Sequence, residues 1–101
     1  MIELDRDCLL HIFVCVNQRH TSKDMPCCHD VGGEELYIEL KKYVMMKGYT
    51  GRVWVTRTRC LGFCNAVGAT VVMYPDGRWF ERVTQNDLEA LKKIIDEKVE
   101  G

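Results

Sequence analysis

Between His11 and Thr56 the sequence passes from a short apolar run to a helical repeat and back to an apolar run, and that succession restricts the fold more than any other feature. His11-Ile12-Phe13-Val14-Cys15-Val16 is rich in β-branched and aromatic residues and reads as a buried strand. The polar stretch from Asn17 to about Asp30 contains Pro26 and no regular period, so it reads as a loop. From Glu34 onward Leu36, Leu40, Tyr43 and Val44 share one helical face, with Glu and Lys opposite. Asp30 stands where an N-cap would, and Gly48 stands where a left-handed residue would close the helix. Arg52-Val53-Trp54-Val55-Thr56 then alternates as a half-buried strand. Two strands joined through a helix predict a right-handed parallel crossover.

The remainder completes a sheet. Ala69-Thr70-Val71-Val72-Met73-Tyr74 is continuously apolar and predicts a central strand. Pro75-Asp76-Gly77 predicts a three-residue hairpin loop, with Gly77 at the left-handed position, and Arg78-Trp79-Phe80-Glu81-Arg82-Val83 returns antiparallel. Thr84 is a good N-cap with Asp87 in the following turn, and Leu88, Leu91, Ile95 and Val99 form the buried stripe of a last helix. The order β-α-β-β-β-α predicts an α/β (α+β) fold in which two main helices pack on a mixed four-stranded sheet, the thioredoxin-like arrangement. At 101 residues the chain fits a single domain over 1–101, with 1–10 as an N-terminal extension. There is no internal repeat, low-complexity tract or linker.

Charge and hydropathy exclude several roles. Lys and Arg (14) nearly cancel Asp and Glu (15), so no charge excess points to nucleic acid or an anionic membrane. Apolar runs reach about six residues, far short of the roughly 20 that a membrane span needs. The start Met1-Ile2-Glu3-Leu4-Asp5-Arg6-Asp7 is acidic, the reverse of a signal peptide's basic n-region. A cytoplasmic protein is expected, with six cysteines that are not disulfides. Cysteine at this density in an intracellular domain suggests a metal site first and redox catalysis second.

The cysteines cluster by topology. Cys15 ends the first strand, Cys27 and Cys28 lie in the loop after it, and Cys60 and Cys64 lie in the loop after the second strand. Loops leaving two parallel strands emerge at one edge of the sheet, so these thiols converge there, as an iron–sulfur cluster or a four-sulfur zinc site requires. Structural zinc sites favour tight Cys-x2-4-Cys knuckles in domains that need metal to fold. Here one pair is separated by twelve residues on a chain with its own core. In Cys60-Leu61-Gly62-Phe63-Cys64, Gly62 leaves room for backbone N–H groups to approach inorganic sulfide. The spacing favours an iron–sulfur cluster and leaves zinc open. A thiol–disulfide enzyme would need an activated Cys-x-x-Cys pair, which this chain lacks.

These segments resemble a known family, the thioredoxin-like 2Fe-2S ferredoxins, over roughly residues 11–97. The resemblance is carried by His11-Ile12-Phe13-Val14-Cys15-Val16-Asn17-Gln18-Arg19, the cysteine after the twelve-residue gap, Cys60-Leu61-Gly62-Phe63-Cys64, and Val71-Val72-Met73-Tyr74-Pro75-Asp76-Gly77-Arg78-Trp79-Phe80. It implies a 2Fe-2S cluster on Cys15, Cys28, Cys60 and Cys64, a one-electron carrier between cytosolic redox enzymes rather than an enzyme, redox-protein partners, and a homodimer. The gap selects Cys28 over Cys27, where the family usually has a small residue. Where the family commonly has Gly-Pro before its third strand, this chain has Gly68-Ala69, with one extra residue after Cys64. The related subunit of respiratory NADH dehydrogenases shares the Cys-x3-Cys half but has a closer first pair. The rival reading is a metal-stabilised interaction subunit, holding 2Fe-2S or zinc, in a larger hydrogenase or NADH dehydrogenase-type complex.

Other residues receive plain expectations. Cys8 reads as a small apolar residue and Cys27 as a spare thiol or else an alternative ligand. His29 follows Cys28, but a Rieske site needs two such halves and the Cys60 half has no His, so His11, His20 and His29 read as structural or solvated. Trp54, Trp79 and Phe80 read as core or subunit-interface residues, and Met45-Met46 as packing. Arg19, Lys23, Arg57 and Arg59 flank the cysteines, either as a solvated rim or as cations that ease reduction and guide an acidic partner.

Overall fold

The apolar runs meet in one mixed sheet: β1 (Leu10–Cys15), β2 (Val53–Thr58), β3 (Ala69–Tyr74) and β4 (Arg78–Val83), in the order β2-β1-β3-β4. The computed structural model describes residues 1–3, 8–16, 32–59 and 69–101. β1 and β2 are parallel, in register from Leu10↔Val53 to Cys15↔Thr58. β3 is antiparallel to β1 and to β4. The parallel β1–β2 pair and the β3–β4 hairpin are those the sequence predicts. β3, the most apolar run, is an inner strand with five of its six residues buried, whereas the alternating β2 forms an edge.

Helix α1 (Gly33–Met46) connects β1 to β2, and α2 (Leu88–Glu100) packs beside it. Leu36, Leu40 and Val44 are fully buried against Ile12, Val14, Val53 and Val55, at the helical spacing read from the sequence. Each contributes roughly 2 kcal/mol through burial. The expected cap at Asp30 lies outside the described residues, and the N-cap is Gly32, with φ 95°. The C-terminal prediction holds. Gly48 takes φ 74°, its N–H bonds to the Met45 carbonyl at 3.2 Å, and the Tyr49 N–H bonds to the Val44 carbonyl at 2.9 Å. These two bonds make a Schellman closure, which turns the chain into β2. Met45 and Met46 do not pack: they are 61% and 74% exposed, because the last turn carries them off the face defined by Leu40 and Val44.

The hairpin loop follows expectation, with Gly77 at φ 70°. In β4 the pairing shifts by one residue between Val71↔Phe80 and Ala69↔Val83, and Arg82 adopts φ 57° at that bulge. Thr84 begins a short 3-10 turn (Gln85–Asp87), its N–H bonded to Asp87 Oδ2 at 2.9 Å, before α2 starts at Leu88. Leu91 and Ile95 are buried, with Leu88 and Val99 partly so.

The helices cover one face of the sheet. On the other face the register aligns Trp54 with His11, Phe13 with Val72, and Val72 with Trp79. The His11 and Phe13 rings stack at 4.1 Å, Trp54 meets His11 edge-on at 5.5 Å, and Tyr74 meets Phe13 edge-on at 6.1 Å. Tyr74 and Trp79 remain 43% and 48% exposed, whereas Phe80 turns toward the core.

Candidate metal centre

Parallel pairing fixes where the thiol-bearing segments leave the sheet. Cys15 is the last residue of β1 and faces Thr58, the last residue of β2, across the ladder. Val16 continues the contact, donating its N–H to the Thr58 carbonyl at 2.9 Å. The segment carrying Cys27 and Cys28 therefore departs beside the segment carrying Cys60 and Cys64. Cys60 follows Thr58 by two residues, a stretch that spans at most about 7 Å. α1 runs back from this end of the sheet, so its first turn also stands here, and Glu34 in that turn reaches Arg57 of β2.

Cys15 is fully buried, and so is Val14 before it. The strand's alternation stops at its end, where both residues enter the apolar cluster. A thiolate in such surroundings would need a compensating cation, which a bound metal would supply. The donor set implied by the sequence is all sulfur, which suits an iron–sulfur cluster on chemical grounds. Of the four predicted ligands only Cys15 is among the described residues. Cys28, Cys60 and Cys64 lie outside them, as does the spare Cys27. Among the described residues, no three His, Cys, Asp or Glu side chains gather into a metal site.

Cys8 is half-buried at a distance from that edge. Its Sγ donates to the Leu10 carbonyl at 3.0 Å and lies 3.5 Å from the Arg52 carbonyl, at the start of β1 and β2. It acts as a weak donor as well as a small apolar group. His11 is structural, as expected: Nε2 lies 2.7 Å from Thr56 Oγ1, and burial lowers its pKa from the usual value. His20 and His29 lie outside the described residues, as do Arg19 and Lys23.

Arg57 is not a freely solvated rim residue. Its Nη1 lies 3.3 Å from Glu34 Oε1, and its guanidinium sits over the Tyr37 ring at 4.6 Å. Arg59, two residues on, is exposed. Sequence reasoning selected Arg57 from its nearness to Cys60 but missed Glu34. The signal was available in topology, because a crossover brings the first turn of α1 to the end of β2.

Comparison with known proteins bears on the fold and the family. No family model matches the chain. It is 31% identical over 91 residues to the 2Fe-2S ferredoxin of Clostridium pasteurianum, covering 90% of this chain and 85% of that protein. It is 28% identical over 92 residues to the 2Fe-2S ferredoxin of Aquifex aeolicus (strain VF5), covering 90% and 79%. Among solved structures, the wild-type thioredoxin-like [2Fe-2S] ferredoxin from Aquifex aeolicus superposes with a TM-score of 0.75 at 26% identity, over 86% of this chain and 84% of that one. A second structure of a thioredoxin-like [2Fe-2S] ferredoxin from Aquifex aeolicus gives 0.73 at 27% identity, over 84% and 76%.

Proposed function

The chain belongs to the thioredoxin-like 2Fe-2S ferredoxins, electron carriers built around one cluster, and from that premise we propose that Cys15, Cys28, Cys60 and Cys64 are its ligands. The observation that carries this reading is the side-by-side exit of the chain at Cys15 and Thr58. Covalent reach keeps Cys60 close to Cys15, and the segment after β1 is long enough to return Cys28 to the same edge. The cluster supplies a reversible one-electron change between its diferric and mixed-valence states.

The protein's own residues do the rest. Cys15 is anchored in the core by Val14 and by the β1–β2 ladder, so its sulfur sits on a rigid element rather than a loop. The buried apolar cluster behind it keeps water from the inner side of the site and lowers the local dielectric. The outer side is edged by Arg57 and Arg59, which offer cations toward an acidic redox partner. The chain transfers electrons without catalysis of its own and works in the cytoplasm between redox enzymes. No helix among the described residues is long and apolar enough to cross a membrane.

The protein is further proposed to pair with a second copy through the open sheet face. Trp54, His11, Phe13, Tyr74 and Trp79 present there, around the buried Val72, a surface without formal charge while His11 is neutral. A flat aromatic patch of this kind is self-complementary, as a two-fold interface requires.

Chemical analysis with a visible spectrum tests the cofactor reading. Anaerobically purified protein is expected to be red-brown, with about two iron and two acid-labile sulfides per chain and a midpoint on the order of −400 mV, since no His ligand raises it. Stoichiometric zinc without visible absorption would contradict it.

A further inference from the structure

One ion pair beside the proposed cluster edge is held more firmly than most surface pairs. Arg57 lies on β2 opposite Val14, one step before the Cys15–Thr58 pair. Glu34 and Tyr37 are one turn apart on α1, and together they grip the guanidinium, one by its edge at 3.3 Å and the other by its face at 4.6 Å. The Glu34 side chain is 28% exposed against 56% for Arg57, so the carboxylate is the more enclosed partner. Surface pairs contribute only about 0–1 kcal/mol to stability. Their effect on a nearby charge that changes during function is a separate matter, because that effect needs position rather than net binding.

We infer that Arg57 and Glu34 act as an opposed pair on the reduction potential of the cluster, Arg57 drawing it up and Glu34 holding it down. This rests on the reading of Cys15 as a ligand. Reduction adds one electron, and therefore one negative charge, at the cluster. A fixed cation nearby favours that step and a fixed carboxylate opposes it. Because Tyr37 and α1 hold both groups in place, their sum is steady, and neither swings toward the cluster when it is reduced. Glu35 and Arg59 stand at the same end but are exposed, and salt screens them more strongly.

The alternative is that the pair only clips α1 to β2. Redox titration of the holoprotein at low ionic strength, followed by visible absorption, separates the two. At a fixed solution potential, Arg57→Gln should lower the reduced-to-oxidised ratio on the order of threefold, and Glu34→Gln should raise it by a similar factor. The double substitution should return close to the parent, and Arg57→Lys, which keeps the charge, should stay close to it. Shifts of the same sign, or no shift in either single variant while the spectrum is intact, overturn the inference. If Arg57→Gln does not fold, Glu34→Gln still decides, since a ratio that fails to rise overturns the inference alone. Cys15→Ser run alongside keeps the two readings apart. An unaltered spectrum in that variant refutes the ligand assignment, whereas an altered spectrum with flat potentials in the charge variants refutes only the pair.

Discussion

Tyr43 and Tyr49 converge on a single carboxylate. The Tyr43 hydroxyl donates to Asp96 Oδ2 at 2.6 Å and the Tyr49 hydroxyl to Oδ1 at 3.2 Å, tying α1 and the turn after it to α2. The Asp96 hydrogen bond, with some burial and the carboxylate's charge, pushes the Tyr43 phenol up to about 12. Tyr49 is also raised, chiefly by burial. A phenol whose folded pKa is raised stabilises the fold at any pH below its unfolded value near 10, and that contribution fades as pH climbs from there through about 12. Alkaline titration of phenolate absorbance should show Tyr43 ionising last, and Tyr43→Phe should abolish that late step. The same substitution should cost about 1–2 kcal/mol in urea unfolding, because the hydrogen bond goes to a charged acceptor. A Tyr43→Phe protein with parental stability would remove Asp96 as the joint between the helices. The sequence pattern put Tyr43 on the inner face of α1, but Asp96 lies 53 residues away and is charged, so no local period marks it as a partner.

Local chemistry announces some elements and hides others. Gly48 and Gly77 both mark left-handed positions where the sequence puts them, because in each case an element ends and only glycine takes that backbone without cost. No atom lies within 4 Å of a Cβ built on Gly48, so Gly48→Ala should cost about 1 kcal/mol in thermal or urea unfolding, from backbone strain alone. A loss several times larger would mean that the Schellman closure supports more than the helix end. The bulge at Arg82 is a different case. Arginine carries no preference for φ 57°, and the distortion follows from fitting β4 to β3 and then entering the Thr84 turn. Met45-Met46 misled the reading for a related reason. Two apolar residues at a helix end suggest packing, yet the helical angle decides exposure, and theirs points outward.

At the scale of the whole molecule the open aromatic face is distinct from the end of the sheet where β1 and β2 stop at Cys15 and Thr58, so a dimer on that face would leave the proposed cluster edge uncovered. If two copies meet on that face, sedimentation equilibrium should show twice the 11.7 kDa chain mass, and Trp79→Glu should yield monomer with its visible spectrum unchanged. His11 adds a pH dependence. Burial lowers its pKa, so the folded state resists protonation, and stability falls as pH drops below the unfolded value near 6.5. The dimer should weaken in the same direction, and His11→Phe should flatten that dependence. A dimer indifferent to both substitutions would place the interface elsewhere. The strands, their parallel and hairpin pairings and both helices were legible because periodicity reports the core. For the proposed site, topology brings the thiol-bearing segments toward one edge, and the choice of Cys28 over Cys27 comes from the twelve-residue gap of the family resemblance. Adjacent residues in extended chain point in roughly opposite directions, so one of the two is expected to bind. The most direct test is therefore the visible spectrum and iron content of single Cys→Ser variants at positions 15, 27, 28, 60 and 64. Cys27→Ser should match the parent, while each of the other four loses the cluster or holds it with a shifted spectrum. A parental spectrum in any of those four, above all Cys28→Ser paired with loss in Cys27→Ser, would contradict the ligand set.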